Sequence, residues 1–290
     1  MLWLIYGYKG WIGQQITRIL ENMGERVIEG QIRADHSNQL RDEIIAVRPD
    51  RIICAIGRTY GPGFPNIDYL EQPGKLSINL RDNLHAPLNL ALIAQSLEIH
   101  LTYIGTGCIY EFNDQHPQSN YENNGYTEND QPNFIGSQYS IVKGITDQLI
   151  SKIGNVLNAR IRMPITNHID PRSFIAKITR YEKVISIPNS MSVLPELLPL
   201  LMELSKKKIV GTINLTNPGA ITHGEILDIY TKIVNPNFKY EIMGIQELNN
   251  YVLGQRSNNY LETKLLQSYF PNVKPIKQSI QNILTKTEND

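Results

Sequence analysis

Only two cysteines, Cys54 and Cys108, occur in 290 residues, too few for a disulfide scaffold or for a zinc site with an ordinary ligand set. The six histidines are scattered and no His-Glu-x-x-His pair exists, so no metal is expected. Net charge is missing too, because 28 basic side chains balance 28 acidic ones. Without a basic block there is no surface to neutralise phosphates, which argues against a nucleic-acid partner. The one cationic run, Lys206-Lys207-Lys208, stands where a helix should end and reads as a solvated last turn. No apolar run approaches the roughly 20 residues that span a bilayer. The apolar stretch Met1–Tyr6 lacks a basic flank and breaks at Gly7, too short for a signal-peptide core. The chain is therefore expected in a reducing cytoplasm, away from membranes. What it does have is a core: 41% of residues are hydrophobic and 19% charged, enough for one large domain or two joined ones.

Short apolar runs alternate with helical patterns through the first 160 residues. Leu2–Tyr6 reads as a buried strand, and Ile12, Ile16, Ile19 and Met23 recur at helical spacing before Gly24. Arg26–Glu29 is a second strand, and Leu40, Ile44 and Val47 form a helix face ended by Pro49. Further strands are expected at Arg51–Gly57, Leu101–Gly105 and Val156–Met163, with a long helix over Ser77–Leu97. Continuous apolar strands alternating with helices predict an α/β fold, a doubly wound parallel sheet covered on both faces. Beyond Met163 the rhythm degrades. Helices are expected at Leu194–Lys206, at His223–Val234 with Thr222 as N-cap, near Glu262–Tyr269 and at Lys277–Thr285, with a strand at Gly211–Leu215. This suggests a nucleotide-binding Rossmann domain over 1–163, to which later segments return, and a smaller α/β cap for substrate over 164–290.

The first chemical motif is Gly7-Tyr8-Lys9-Gly10-Trp11-Ile12-Gly13, directly between the first strand and the first helix. Glycines at this place permit a tight turn and let backbone approach a pyrophosphate seated on the helix N-terminus. Arg33, soon after the second strand, suits a 2′-phosphate, which favours NADPH over NADH. The second motif is Tyr139-Ser140-Ile141-Val142-Lys143. Residues four apart on a helix share a face, so phenol and ammonium can meet one ligand. The ammonium is expected to lower the tyrosine pKa toward working pH, making Tyr139 the proton donor to a carbonyl under reduction. Thr106, closing the strand at Leu101–Gly105, can bond the same oxygen. Cys108 lies two residues on, at the carboxyl end of that strand, where open α/β sheets place their ligands. Cys54, inside a strand, reads as structural.

Taken together these residues resemble the extended short-chain dehydrogenase/reductases, in particular the dTDP-4-dehydrorhamnose reductase branch and its bifunctional nucleotide-sugar 3,5-epimerase/4-reductases. The resemblance runs through Ile5–Gly13, Thr106–Glu111, Gln131–Phe134, Arg160–Ile165, Asp170–Ile175, Ile178–Val184, Ile187–Met191, Leu215–Gly219 and Arg256–Asn259, nearly the whole chain. It implies conversion of a UDP- or dTDP-linked 4-keto-6-deoxy-D-glucose to the L-rhamnose form, by inversion at C3 and C5 and NADPH reduction at C4. Thr106, Tyr139 and Lys143 match the carbonyl site. Cys108 and Lys177 correspond to the acid–base pair of inversion. Beside the glycine turn with Trp11 and Ile12, the resemblance places Ala55, Gly57, Asn79 and Met163 along the cofactor. It places Glu111, Asn133, Arg172, Asn189 and Arg256 along the sugar nucleotide. A homodimer is implied, as is a separate 4,6-dehydratase to supply substrate. The loop Tyr60–Phe64 before Pro65–Asp68 is longer than the family pattern, which bears on the substrate edge of that loop.

Overall fold

The computed structural model describes residues 1–166 and 170–287. In chain order the elements are β1 (Leu2–Tyr6), α1 (Trp11–Asn22), β2 (Arg26–Glu29), α2 (Ser37–Val47), β3 (Arg51–Cys54), α3 (Leu76–Leu80) and α4 (Ala86–Ser96). There follow β4 (His100–Thr106), α5 (Gln138–Ile150), β5 (Val156–Ile161), α6 (Phe174–Ile178), β6 (Lys183–Val184), α7 (Leu194–Lys206) and β7 (Gly211–Asn214). The last are α8 (His223–Ile233), β8 (Glu241–Ile242), α9 (Ile245–Leu248), α10 (Lys264–Tyr269) and α11 (Ile276–Thr287). No described helix is long and apolar enough to cross a membrane.

Two compact units emerge. The first comprises Met1–Ile109, Gln131–Arg160 and Leu198–Ile213; the second Tyr110–Asp130, Ile161–Leu197 and Asn214–Asp290. The first carries a six-stranded sheet of order β2-β1-β3-β4-β5-β7 with the expected doubly wound, Rossmann-like arrangement. β1 pairs in parallel with β2 on one side and β3 on the other, Tyr6 opposite Cys54, and β3 pairs in parallel with β4. Because β1 has both its successors as neighbours, the winding direction reverses between β1 and β3. Leu4, Tyr6, Leu40, Ile44, Ile52, Leu90, Leu101 and Tyr103 are buried together in one cluster. Each aliphatic side chain so buried contributes about 1.5–3 kcal/mol over leaving it exposed. In the second unit Ile165, Ile175, Met191, Val193, Ile226 and Ile280 belong to a separate cluster, and the pair β6–β8 forms a two-stranded sheet.

The helix expected over Ser77–Leu97 is interrupted. α3 and α4 are joined by a π-helical turn at Arg81–His85. Pro87 has no N–H to give the Asn83 carbonyl one turn back, and the Thr146 hydroxyl bonds that oxygen instead at 2.7 Å. The strand expected over Arg51–Gly57 stops at Cys54. The Ala55 amide still bonds the Tyr6 carbonyl at 2.9 Å, and beyond it the Gly7 backbone passes close to Ala55 and Ile56. Strands at Val156 and Gly211 also end early, at Ile161 and Asn214. Thr222 caps α8 as expected, within a reciprocal pair with Glu225.

Candidate active site

The carboxyl ends of β1 and β3 meet at the reversal point of the sheet, the place where open α/β folds bind ligands. Gly7 has φ of +84°, and a Cβ there would lie 2.6 Å from the Ala55 carbonyl carbon. A Cβ on Gly13 would lie 2.2 Å from the Gly7 carbonyl oxygen, so α1 can start this close to β1 only with glycine. Gly10 is the N-cap and provides no side chain, which leaves the first-turn amides of Trp11, Ile12 and Gly13 to an outside acceptor. Gly57 is held nearby because Asn83 both accepts from the Arg58 amide (2.8 Å) and donates to the Arg58 carbonyl (2.9 Å). Asn79, the residue singled out in the sequence, is buried and accepts from Asn83 at 2.9 Å. Asn83 is therefore the direct anchor, and its signal was the four-residue spacing from Asn79 on one helix face.

Past β2, Arg33 is half exposed and grips Asp35 with two parallel bonds of 3.0 Å. It also comes within 4.0 Å of Asp82. Asp82 receives Arg58 at 2.5 Å and Arg81 at 2.8 Å. Burial pushes the Asp82 carboxyl up, but the hydrogen bonds from Arg81 and Arg58 outweigh it and hold the group below the usual carboxylate range. Three guanidiniums thus share two carboxylates and leave one positive charge over. Arg58 carried no signal in the sequence, since its role depends on a contact with the π-helical turn.

At the carboxyl end of β4 the Thr106 hydroxyl accepts from the Cys108 amide at 3.1 Å and hydrogen-bonds the Tyr139 side chain. Tyr139 stands in the first turn of α5, capped by Ser137, while the Glu71 carboxylate accepts from the amides of Gln138 (2.9 Å) and Tyr139 (3.2 Å). Phe64, Ile67, Tyr69 and Leu70, from the loop after β3, pack with Tyr139 and Cys108 as an apolar wall. Burial, with Cys108 alongside, raises the phenol well above its ordinary pKa, and the Thr106 bond offsets only part of this. The lowered pKa expected from the Tyr-x-x-x-Lys spacing is thus not what the structure shows. Lys143 shares the helix face but gives its ammonium to the Tyr103 hydroxyl. Burial presses Lys143 itself down to about 8.

In the second unit Lys177 lies in the short helix α6, half-buried. Burial lowers its pKa, Arg172 adds to the effect and Asp170 opposes it. Arg172 is exposed, and its amide bonds the Asp170 carboxylate at 2.7 Å. The Asn189 oxygen accepts from Arg162 (2.5 Å) and from the Asn259 amide (3.0 Å), and its nitrogen donates to Asn258 (2.9 Å). Asn189 thereby ties the Arg256–Asn259 segment to the rest of its unit. Arg256 donates to the Gly254 carbonyl at 2.6 Å. The Glu111 carboxyl is raised by burial, and its carbonyl accepts from the Tyr126 hydroxyl at 2.5 Å. Met163 adopts φ of +40°, in the left-handed region that residues other than glycine rarely take. Asn133, in the first unit, donates its amide to the Ile109 carbonyl at 3.1 Å.

No family model matches the chain. It is 48% identical to a UDP-rhamnose synthase of Acanthamoeba polyphaga mimivirus, over 99% of both chains and with a TM-score of 0.95 to its crystal structure. It is 38% identical to an Arabidopsis thaliana bifunctional dTDP-4-dehydrorhamnose 3,5-epimerase/dTDP-4-dehydrorhamnose reductase, covering 96% of this chain and 90% of the relative. A trifunctional Arabidopsis protein with an added UDP-glucose 4,6-dehydratase matches at the same identity, and the chain spans 40% of its length. In fold it is similar to a dTDP-4-dehydrorhamnose reductase of Bacillus anthracis str. Ames solved with NADP, with a TM-score of 0.77 at 15% identity over 98% of this chain and 99% of the other.

Proposed function

Because this chain belongs to the nucleotide-sugar 3,5-epimerase/4-reductases, on the dTDP-4-dehydrorhamnose reductase branch of the extended short-chain dehydrogenase/reductases, we propose that it converts UDP-4-keto-6-deoxy-D-glucose, or its dTDP counterpart, to the nucleotide-linked L-rhamnose. The observation that carries the reading is the gathering of Thr106, Cys108, Tyr139 and Lys143 at one end of β4 and α5. The glycine turn, whose Gly7 and Gly13 leave no room for a Cβ, fits the pyrophosphate of NADPH, with Arg33 at its 2′-phosphate and Ala55, Gly57, Asn79, Lys143 and Met163 along its length. NADPH supplies the hydride that adds to C4.

Protons at C3 and C5 are acidic because the carbanion left behind delocalises onto the C4 oxygen. Thr106 and Tyr139, aimed at that oxygen, stabilise the enolate as an oxyanion hole does. Cys108 and Lys177 act as acid and base on the two faces, taking the proton from one and returning it on the other. Lowered by burial and by Arg172, Lys177 suits this, because its amine is more readily available than an ordinary lysine's. After both inversions, Tyr139 gives its proton to the C4 oxygen as the hydride arrives at carbon. Its raised pKa keeps the phenol protonated for that step. Glu111, Asn133, Arg172, Asn189 and Arg256 line the sugar nucleotide in this reading, the arginines meeting the diphosphate. Residues 1–163 are mainly the cofactor-binding part in this reading, with later segments returning to it, and 164–290 mainly bind substrate.

A separate 4,6-dehydratase would make the 4-keto substrate. A homodimer is part of the same proposal, supported by the exposed row Ile141, Ile145 and Leu149 on α5 and by Leu76 and Leu80 on α3. Cytoplasmic residence is supported by two free thiols, Cys54 and Cys108. The test is NMR of the product after incubation with UDP-4-keto-6-deoxyglucose and NADPH. Oxidation of NADPH with formation of UDP-L-rhamnose is expected. A product reduced at C4 but still in the D-configuration would leave only the reductase.

A further inference from the structure

We propose that Tyr103 is the positioning residue of Lys143, holding the ammonium by its hydroxyl and ring without cancelling its charge. The inference rests on the reading of Tyr139 and Lys143 as the pair that serves reduction. Tyr103 lies on β4, three residues before Thr106, and is buried in the core of the first unit. Lys143 donates to its hydroxyl, and the Lys143 Nζ stands 4.6 Å from the ring centroid. A buried ammonium ordinarily needs a counterion. The natural one is Asp147, one helical turn beyond Lys143. Both Asp147 oxygens, however, are committed to β5: Oδ1 accepts from Asn158 (2.7 Å) and Arg160 (2.9 Å), and Oδ2 from Arg160 (2.6 Å). Among the described residues Tyr103 is the side chain that bonds Lys143.

A phenol and an aromatic face solvate a cation but carry no formal charge. The positive field at Lys143 is therefore kept for whatever anionic or hydroxyl group approaches α5, where a carboxylate partner would have absorbed it. The other groups facing Lys143 leave that field in place. Cys54 on β3 is a thiol pushed up to about 12 by burial, Tyr103 and Tyr139 are phenols raised by burial, and Cys108 lies beyond β4. Among the described residues Asp147 is the one carboxylate acting on Lys143, and Arg160 balances it.

The experiment is the pH profile of kcat/KM for NADPH-dependent reduction in Tyr103→Phe, which keeps the ring and loses the acceptor. Without that acceptor the ammonium is less well solvated, so its pKa falls, and the alkaline limb is expected to move down by about one pH unit. At acid pH, where Lys143 stays charged in both proteins, kcat should remain near wild type. A merely structural role would lower activity evenly and leave the limb where it was; that result overturns the proposal. Tyr103→Gln, which offers an amide oxygen, should return part of the shift. One check needs no Tyr103 variant. In the wild-type protein the ε-methylene protons of Lys143, identified by their loss in Lys143→Met, should show a nuclear Overhauser effect to the Tyr103 ring protons, and its absence overturns the contact. Wild-type turnover by Lys143→Met would sink the catalytic reading of the lysine itself. An inactive Lys143→Met beside an unmoved limb in Tyr103→Phe sinks only the present inference.

Discussion

At the carboxyl end of β4, Thr106, Tyr139 and Lys143 are buried, and an apolar wall from the loop after β3 packs on Tyr139. Beyond β2 and β3, by contrast, Arg33, Arg58 and Arg81 keep 54%, 38% and 42% of their side chains exposed while sharing Asp35 and Asp82. The two regions belong to one sheet yet handle charge in opposite ways. In the dry region water does not compete, and burial is the largest cause that moves Tyr139 up and Lys143 down. In the wet region water screens every pair, so each ion pair among these guanidiniums and carboxylates is worth little. The proposed function puts the chemistry in the first arrangement and the cofactor preference in the second.

The sharpest break between the two regions should come from Tyr139→Phe. Removing the hydroxyl removes the proton donor, so ketone reduction should fall by about a thousandfold or more. NADPH affinity, measured by fluorescence titration, should stay near wild type because the glycine turn and the arginines are untouched. Near-normal turnover would show that the buried group is ornamental. Next in size is Cys108→Ala. In D2O without NADPH, wild-type protein should exchange the C3 and C5 protons of the 4-keto substrate, and this variant should slow exchange by about a hundredfold or more. It should still reduce substrate already inverted by an added epimerase, because Thr106, Tyr139 and Lys143 remain. Exchange surviving in both Cys108→Ala and Lys177→Ala would mean that other residues perform the inversion.

How much of this was legible beforehand follows the same division. β1, the glycine turn and β2 came directly from apolar runs and glycine placement, because local sterics decide them. Tyr139 and Lys143 were legible because helical spacing is fixed. Their proton affinities were not, because the expected Tyr139–Lys143 coupling gave way to a Lys143–Tyr103 contact between α5 and β4. Tyr103 looked like any aromatic in a strand. Asn83 and Arg58 were hidden for a similar reason, since their pairing needs the π-helical turn that Pro87 permits. The two-residue strands β6 and β8 are too short to show any periodicity.

Two effects of intermediate size test each side of the comparison. Lys143, at about 8, has to be charged to serve reduction, so kcat/KM should be full below that pH and drop about tenfold per unit above it. Tyr139, raised by burial, stays protonated throughout that window and contributes no limb of its own. A flat profile to pH 10 would detach Lys143 from the reaction. On the wet side, NADPH should outcompete NADH by about tenfold in kcat/KM, or about 1.4 kcal/mol, and Arg33→Ala should remove most of that preference. Equal use of the two cofactors by the wild type would contradict the assignment.

The smallest expected effect is also the most discriminating, because it asks whether Arg58 belongs with Arg33 or with Tyr139. Its backbone is fixed by Asn83 and its guanidinium is drawn to Asp82, within 4.0 Å of which Arg33 also lies. If the arginines recognise the 2′-phosphate together, Arg58→Met removes one exposed charge from the group and leaves the loop in place. Exposed pairs are worth only about 0.2–1 kcal/mol, so the NADPH-to-NADH preference should fall about threefold, with kcat on NADPH unchanged. Screening should erase the difference in about 1 M salt, where the Debye length shrinks to about 3 Å. Asp82→Asn should act in the opposite sense at low salt, since it frees positive charge that the carboxylate now absorbs. A loss in Arg58→Met that persists at high salt, or that appears in kcat rather than in cofactor preference, would place Arg58 with the dry site and dissolve the boundary drawn between the two regions.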